Sequence, residues 1–404
     1  MDFAPSFNPE YETFRKEVRE WLDTNAPVIE GNPDADDNYA KHRRFGEALG
    51  AKGWLFPTFP QQYGGGGLNF EQSVVIAEEV QRKGFGLPPF YNSAATLGGP
   101  SILVWGTEEQ KQKWCVPMFR GEMMGWIALT GPEAGSDLAG TQTDAIREGD
   151  EYVINGTKIF IGGSHDPDIL WTFTRTDPNG ARHKNSAWFV IPADLPGVTI
   201  RPMDMLADGG EGVGATQKNT IYFENVRVPA SYLVGGENNG WQVASTHLEL
   251  EHGGGGSIAK ETWFHKSMEF AQKFQKDGKP LAKDPDAREQ LADIFVNTEV
   301  TRLFQLRNYW SNRTHQPMTY EGSQSSYRGK MAGLAAAEVQ HELFGPASVV
   351  AEGEHDPEGV LEHHHRAAIT ALHPGGTADI QKVIIARRLG AGRDEAEAAG
   401  KTPE

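Results

Sequence analysis

The amino-acid sequence predicts an α+β multidomain protein with an N-terminal helical domain, a middle antiparallel β domain and a C-terminal helical bundle. Apolar residues recur at helical spacing towards both ends of the chain, whereas the middle holds short β-branched or aromatic runs between turn signals. At 404 residues the chain is long for one hydrophobic core, so more than one packed unit is expected. The predicted domains span 1–122, 123–233 and 234–390, followed by a polar tail over 391–404.

The first 122 residues have the pattern of amphipathic helices. A first helix is expected to end before Pro27, because proline cannot continue an α-helix. The run Gly64 to Gly67 predicts a flexible break, and a further helix follows over 70–80. Thr107 is typical of a helix N-cap, since acidic residues follow it in the first turn.

The middle part predicts strands and the last part predicts helices again. Turn signals at Asn155-Gly156, Asp177 to Gly180 and Pro196-Gly197 separate the strand candidates. These candidates are the runs 152–154, 158–161, 169–173, 187–191 and 220–223. Apolar spacing around Leu291 and Ile380 then indicates helices of the C-terminal bundle.

Charge and composition disfavour several classes of partner. A net charge of −17 is unsuited to binding nucleic acid, which needs a basic face. No stretch approaches the ~18 consecutive apolar residues of a membrane span, and the N-terminus lacks the basic and apolar regions of a secretory signal. Cys115 is the single cysteine, which excludes an intrachain disulfide and fits a reducing cytoplasm. We therefore expect a cytoplasmic protein without a nucleic-acid or membrane partner.

Two short motifs carry little weight. Ser257-Ile-Ala-Lys260 matches a Ser-x-x-Lys string, but matches of four residues arise by chance. Glu362 precedes three consecutive histidines, yet neighbouring helical residues point in different directions and cannot converge on one ion. We interpret His363 to His365 as a solvated helix surface and expect no metal site.

The segment from Ala128 to Asp137 is the most informative one. It reads Ala-Leu-Thr-Gly-Pro-Glu-Ala-Gly-Ser-Asp, and its glycines and proline predict a tight loop with backbone N–H groups free to face a ligand. Thr130 and Ser136 add hydroxyl groups. Such a loop suits the edge of a flavin ring and a phosphate; an ordinary turn is the alternative from these residues alone.

Four segments, in order along the chain, resemble the acyl-CoA dehydrogenase family. They are the loop over 128–137, the strand over 152–160 that stacks on the flavin, the end of the β domain over 223–229, and the last helix over 380–387. The resemblance covers nearly the whole chain. It implies the acyl-CoA dehydrogenase fold, FAD as cofactor, an acyl-CoA thioester as substrate, and removal of two hydrogens from the carbons next to the thioester.

The resemblance also assigns site residues. The residues expected at FAD are Leu129, Thr130, Ser136, Phe160, Ile161, Gly162, Thr377 and Asp379. The residues expected at the substrate are Ser136, His252, Gly253 and Gly254.

The base that removes the α-proton departs from one common arrangement in the family. Many members carry it in a Tyr-Glu-Gly-Thr loop, where this chain has Pro-Gly-Gly-Thr with Gly375 in place of the glutamate. A second arrangement, Leu-Asp-Leu-Glu-Arg on a helix, resembles the segment 248–252 and makes Glu251 the base. Glu249 is the rival, and because the two positions differ by about 200° around a helix, both cannot face the substrate.

Three further positions differ from the family pattern. Phe160 replaces the usual tryptophan beside the flavin, which keeps an aromatic face without the indole N–H. Gly162 replaces a threonine or serine that hydrogen-bonds the flavin, so that contact must come from backbone or water. His252 replaces the arginine after the base, which weakens the inherited pantetheine contact.

The C-terminal region departs from the homotetrameric members. Those members give a neighbour's FAD an arginine from Arg-x-x-Phe-Gly and a Gln-x-x-Gly-Gly loop, whereas the matching segments 274–280 and 340–346 lack the arginine and the paired glycines. A chain that keeps one half of the FAD site and lacks the other resembles the base-carrying subunit of heteromeric, steroid-type acyl-CoA dehydrogenases. We expect a heterotetramer with a second acyl-CoA dehydrogenase-like subunit and about one FAD per pair, and electron-transfer flavoprotein as acceptor; a homo-oligomer is the alternative.

The expected function is FAD-dependent α,β-dehydrogenation of a bulky or ring-bearing acyl-CoA, with Glu251 removing the α-proton and hydride passing to flavin N5. The run Gly253 to Gly256 supports a broad ligand, because it removes side-chain volume directly after the base. A local helix break is the alternative for these glycines. Two other functions stay open: a non-catalytic subunit that completes a partner's flavin site, and a flavin monooxygenase of the same fold.

Overall fold

The protein is described by a computed structural model over residues 9–206, 217–253, 263–314, 316–350 and 359–391, with backbone alone over 248–253. It separates into two compact units, one from Pro5 to Leu250 and the other from Glu251 onward. This division lies further along the chain than the expected boundary after residue 233, and the three-domain boundaries stay a prediction. Among the described residues, no helix combines the length and apolar character needed to span a bilayer.

The first unit begins with helices whose ends follow local sequence signals. Asn69 and Thr107 each form a capping box, in which the side chain accepts the amide of Gln72 or Gln110 respectively. The predicted N-cap at Thr107 is thereby confirmed. The helices are α1 (Pro9–Asn25), α2 (Asp36–Ala51), α3 (Phe70–Arg82), α4 (Gly99–Trp105), α5 (Glu108–Gln110), α6 (Val116–Phe119) and α7 (Gly240–Gly253). The division falls inside α7, so its residues 251–253 are counted with the second unit.

The glycine run after residue 63 is a close-packed turn, which corrects the expectation of a flexible break. A Cβ added at Gly65 would lie 2.4 Å from the carbonyl oxygen of Phe59, and one at Gly66 would lie 2.2 Å from the carbonyl oxygen of Gly53. The amides of Gly65 and Gly66 also donate backbone hydrogen bonds to Pro60 and Phe56. Glycine is needed here because backbone segments approach each other closely.

The middle of the first unit is a mostly antiparallel sheet. Its strands are β1 (Gly125–Ala128), β2 (Asp144–Glu148), β3 (Glu151–Ile161), β4 (Ile169–Arg175), β5 (Ser186–Pro192), β6 (Val198–Met203), β7 (Lys218–Pro229) and β8 (Leu233–Val234). The order is β6-β7-β3-β2-β4-β5-β8, and β1 pairs with β4. The β1–β4 and β2–β4 pairs are parallel, because each of these strands reaches β4 by a connection rather than by a hairpin.

The expected turn at Asn155-Gly156 is wrong, because both residues lie inside the continuous strand β3. The pairing of β3 with β7 shifts register between Ile154 and Gly156, which is a bulge. A Cβ at Gly156 would lie 2.6 Å from the Cα of Thr143, so this glycine admits a neighbouring backbone. The other two predicted turns connect β4 to β5 and β5 to β6.

The sheet buries both of its faces. Trp171 and Trp188 on β4 and β5 stack at 4.7 Å between centroids and join the core shared with the helices. Alternate residues such as Leu170 and Phe189 enter a second core on the opposite face, together with Trp126. The period of two along a strand explains this division.

The second unit is helical, with one short hairpin. Its elements are α8 (Trp263–Lys273), β9 (Gln275–Lys276), β10 (Lys279–Pro280), α9 (Pro285–Arg313), α10 (Glu321–Phe344), α11 (Val360–Thr370) and α12 (Ala378–Arg388). Its core includes Leu291, Ile294, Phe344 and Leu361. These helices confirm the expected helical character of the C-terminal region.

His364 corrects the interpretation of the histidine run as a solvated surface. It is 3% exposed and stacks on Trp263 with ring centroids 3.3 Å apart. Burial lowers the pKa of His364 to about 3. Successive helical residues point in different directions, so one member of a run can enter the core while its neighbours do not.

Candidate functional site

The loop that follows β1 is a tight turn with an open tip. Gly131 and Ala134 exchange backbone hydrogen bonds of 3.0 and 3.2 Å, which closes the turn. Leu129 and Thr130 are half-buried at its start, whereas Ser136 is exposed near its tip. A Cβ added at Gly135 would meet no atom within 4 Å, so there is free space beside the tip.

Strand β3 holds the start of this loop against the sheet. The amide of Ile159 donates to the carbonyl of Thr130 at 2.9 Å. Lys158 Nζ donates to the carbonyl of Leu129, also at 2.9 Å. The structure therefore brings Leu129 and Thr130 beside the part of β3 that ends in Phe160, as the predicted site requires.

Phe160 presents an aromatic ring at an irregular point of the strand. Its φ of 61° lies in the left-handed region, and its side chain is 50% exposed. The pairing of β3 with β7 shifts register between Lys158 and Ile161, which accommodates this conformation. A non-glycine residue held there costs about 1 to 3 kcal/mol, and such strain concentrates at functional sites.

Ile161 and Gly162 contribute backbone rather than side chains at this position. The side chain of Ile161 is buried in the second core, so the prediction that Ile161 lies beside a cofactor is restricted to its main chain. Gly162 has a φ of 81°, and a Cβ there would lie 2.1 Å from Cε3 of Trp126. The buried indole of Trp126, which sequence reasoning missed, explains why a threonine or serine is absent from position 162.

Lys158 is a second residue that sequence reasoning missed. It is 0% exposed, and burial lowers the pKa of its ammonium group to about 7. Nζ also donates to Oγ1 of Thr141 at 3.0 Å. The available signal was a lone lysine in an apolar strand run. The period of two would place Lys158 and Phe160 on the same face, and only the register shift between Lys158 and Ile161 separates them.

The candidate base lies on helix α7, and one face of the earlier turns of this helix is buried. Val243, Ala244 and His247 are at most 1% exposed, and Ser245 is exposed. Position 251 follows His247 by four residues and so shares its face, whereas position 249 follows Ser245 by four. The side chains of Glu249, Glu251 and His252 and the whole of Gly254 lie outside the described residues, while the backbone of Gly253 still belongs to the helix.

Thr377 and Asp379, expected at the cofactor, stand at the start of α12 in the second unit. Thr377 Oγ1 accepts the amide of Ile380 at 3.1 Å and caps the helix. The exposed Asp379 pairs with Lys382 at 3.1 Å. These contacts are within the second unit, and a cofactor role for either residue stays a prediction.

Gln340 is fully engaged inside the second unit. It is 1% exposed, and its Nε2 donates to Ser267 Oγ at 2.8 Å. Its amide oxygen accepts from Nδ1 of His364 at 2.6 Å. Both ends of the amide therefore have internal partners.

Comparison with known proteins identifies the family. The family profiles described as "Acyl-CoA dehydrogenase, N-terminal domain", "middle domain" and "C-terminal domain" match residues 8–122, 127–226 and 238–390. "Probable acyl-CoA dehydrogenase YngJ" of Bacillus subtilis is 30% identical over 84% of this chain and 88% of that protein. The chain belongs to the acyl-CoA dehydrogenase family. Members of this family are FAD-dependent oxidoreductases.

Further similarities fall within the same acyl-CoA dehydrogenase family. "Acyl-CoA dehydrogenase FadE29" of Mycobacterium tuberculosis is 35% identical, although the match covers 60% of this chain and 61% of that protein. The structure named "Tcur3481-Tcur3483 steroid ACAD" has a TM-score of 0.78 and 27% identity over 98% of this chain and 100% of that chain. The "ChsE4-ChsE5 complex from Mycobacterium tuberculosis" has a TM-score of 0.77 and 25% identity over 97% and 100%.

The residues of this acyl-CoA dehydrogenase fit the FAD of its family. The exposed ring of Phe160 offers an apolar stacking surface, and the loop tied to its strand leaves free space at Gly135. The half-buried Thr130 lies at the start of this loop, next to the strand. Gly162 cannot gain a hydroxyl-bearing side chain, so a hydrogen bond from that position must come from the main chain.

Proposed function

We propose that this chain is a catalytic subunit that dehydrogenates the α,β bond of an acyl-CoA thioester, with Glu251 as the base. The observation that carries the proposal is the unbroken course of α7 through residue 253. Position 251 lies four residues after the buried His247 and position 249 four residues after the exposed Ser245, so the two positions lie on different faces of the helix. This periodicity supports Glu251 over Glu249 independently of the motif.

The reaction requires a carboxylate that accepts the α-proton while the thioester oxygen is hydrogen-bonded as negative charge develops. When bound, FAD supplies the hydride acceptor at its N5. The role proposed for Glu251 is to accept the α-proton. The role proposed for Leu129, Thr130, Phe160 and the main chain of Gly162 is to hold the flavin ring.

We further propose that the acyl group is bulky or ring-bearing. The structural relative named a steroid ACAD supports this class of substrate. The glycines that begin at Gly253, immediately after Glu251 and His252, add no side-chain volume next to the base. Ser136, exposed at the loop tip, is the proposed contact for the CoA chain together with His252.

The proposed assembly is a heteromer with a second acyl-CoA dehydrogenase-like subunit, and electron-transfer flavoprotein is the proposed electron acceptor. Gln340 has both amide ends bonded internally, which supports a chain that gives no Gln-x-x-Gly-Gly contact to a neighbour's FAD. The structural relative ChsE4-ChsE5 from Mycobacterium tuberculosis is named as a complex. Helix α9 leaves Phe295, Val296 and Leu303 about half exposed, and an apolar surface of this kind suits subunit contact.

The test replaces Glu251 by Gln in the complete assembly and follows flavin reduction by an acyl-CoA without oxygen. We expect normal FAD content and a rate about 10²-fold lower or more, as for loss of a general base. Glu249→Gln is the matched control and should keep the rate within about twofold. Loss of flavin reduction in the Glu249 variant alone would refute the assignment. Flavin reduction at the wild-type rate in both variants would favour a non-catalytic subunit.

A further inference from the structure

Lys158 places a buried amino group at the junction of the sheet and the loop after β1. The side chain has no solvent exposure, although lysine is rarely buried completely. Its Nζ lies 2.9 Å from the carbonyl oxygen of Leu129 and 3.0 Å from Oγ1 of Thr141. Thr141 is itself 2% exposed, so both hydrogen bonds are shielded from water.

These two acceptors stand at opposite ends of the loop. Leu129 begins it and Thr141 ends it, so one side chain of β3 closes a segment that spans 129–141. The adjacent amide of Ile159 donates to Thr130 at 2.9 Å and extends the attachment. Two residues further along the same strand, Phe160 turns its ring outward.

Global stability does not explain a lysine at this position. Burial disfavours the charged amino group and lowers its pKa to about 7, while Glu133 opposes this shift. An apolar side chain of similar length would fill the same volume without desolvating a charge. What it would lack is a donor that reaches both ends of the loop.

We infer that Lys158 is a positioning residue for the cofactor site, which clamps both ends of the loop over 129–141 to β3 so that Thr130 and Phe160 form one preformed surface. Preorganisation lowers the ordering cost of binding, so the clamp raises cofactor affinity without touching the reacting atoms. The inference rests on the proposed function insofar as that surface receives FAD. The clamp itself is a property of the chain without cofactor.

The first experiment needs no cofactor. Amide hydrogen exchange of the apoprotein is compared between wild type and Lys158→Met, which is shorter by one atom and removes the donors. We expect the Ile159 amide and the loop over 129–141 to exchange about 10- to 100-fold faster, the range for leaving buried acceptors without a donor. The melting temperature should change little, because the relieved desolvation of the amino group offsets the lost hydrogen bonds. Lys113→Met is the matched control, because Lys113 is an exposed lysine bonded to Tyr232 at 2.9 Å, and it should leave the loop unchanged.

The second experiment measures FAD affinity in the assembled protein. Lys158→Met should weaken it about 10- to 100-fold, and Thr141→Val, which removes one acceptor, about 3- to 10-fold. The double variant should be no weaker than Lys158→Met alone, because both changes break the same clamp. Thr141→Val also keeps the test available if the lysine variant does not fold.

The outcomes separate this inference from the proposed function. Wild-type exchange in the loop of Lys158→Met would overturn the clamp, and FAD affinity within about twofold of wild type would overturn its role at the cofactor site. Either result would leave the proposed function standing. Absence of FAD from the wild-type assembly would overturn the proposed function and the cofactor role of Lys158. The exchange experiment would then still decide whether the clamp exists.

Discussion

Restoring the hydroxyl that the family carries at position 162 should harm this protein. Gly162 has a φ of 81°, and a Cβ built there lies 2.1 Å from Cε3 and 2.2 Å from Cδ2 of Trp126. The indole is 1% exposed and packed in the second core, so it has no space to withdraw. Gly162→Ser must therefore both strain the backbone and displace the buried ring of Trp126.

The size of the effect follows from these two costs. A left-handed conformation costs an L-residue about 1 to 2 kcal/mol relative to glycine. Overpacking a well-filled core costs about 1 to 3 kcal/mol. The free energy of unfolding should fall by roughly 2 to 5 kcal/mol, which corresponds to about 5 to 20 °C in melting temperature for a unit of this size.

Urea unfolding of Gly162→Ser measures this change directly, and retained FAD measures the effect on the site. Gly135→Ala is the control for the unfolding measurement, because a Cβ at Gly135 meets no atom within 4 Å and that residue has no left-handed backbone. In a Trp126→Leu background, Gly162→Ser should cost only the backbone part, because the ring that it meets is then absent. A serine variant within about 0.5 kcal/mol of wild type, or with tighter FAD binding, would refute the reasoning.

Three other outcomes are expected. Glu79 is 2% exposed, and the hydrogen bond from Arg19, followed by those from two further arginines, lowers its pKa to about 2. Glu79→Gln should therefore lower the free energy of unfolding by about 2 to 3 kcal/mol at pH 7. Because the pKa of Glu79 in the folded state lies below its usual 4.5, the stability difference between wild type and Glu79→Gln should be complete above about pH 5 and disappear towards pH 2 in urea titrations. The control is Glu78→Gln, at a position 36% exposed, which should lower the free energy of unfolding by less than about 1 kcal/mol. Absorbance of the purified assembly should give about one FAD per pair of unlike subunits, and an active homotetramer with one FAD per chain would contradict this. Gly254→Leu and Gly255→Leu should lower kcat/KM for large acyl-CoAs selectively, whereas a native preference for butyryl-like chains would exclude a bulky substrate.

The fold could be predicted from the sequence because its signals are local. Helical spacing, the cap at Thr107 and the alternation of the strands depend on neighbours in sequence, so the three-part architecture was accessible. Asn155-Gly156 has the composition of a hairpin turn, yet pairing with β7 carries it through as a bulge. Long-range strand pairing thus overrode a local preference.

The candidate site was predicted in part for the same reason. Motifs identified Leu129, Thr130 and Phe160, and the structure brings them together. They gave no indication that Trp126 occupies the space of a side chain at position 162, since the two residues are far apart in sequence.

The sequence by itself determined the family, the order of helical and β regions, and the helix that carries Glu251, because these follow from motifs and periodicity within short segments. The tertiary structure alone decided which polar groups are buried and what they bond. Lys158 closes a loop that begins 29 residues before it, and Gln340 is bonded to residues 73 before and 24 after it. Such contacts depend on how distant segments pack, and a hydrogen bond shielded from water leaves no periodic pattern along the chain.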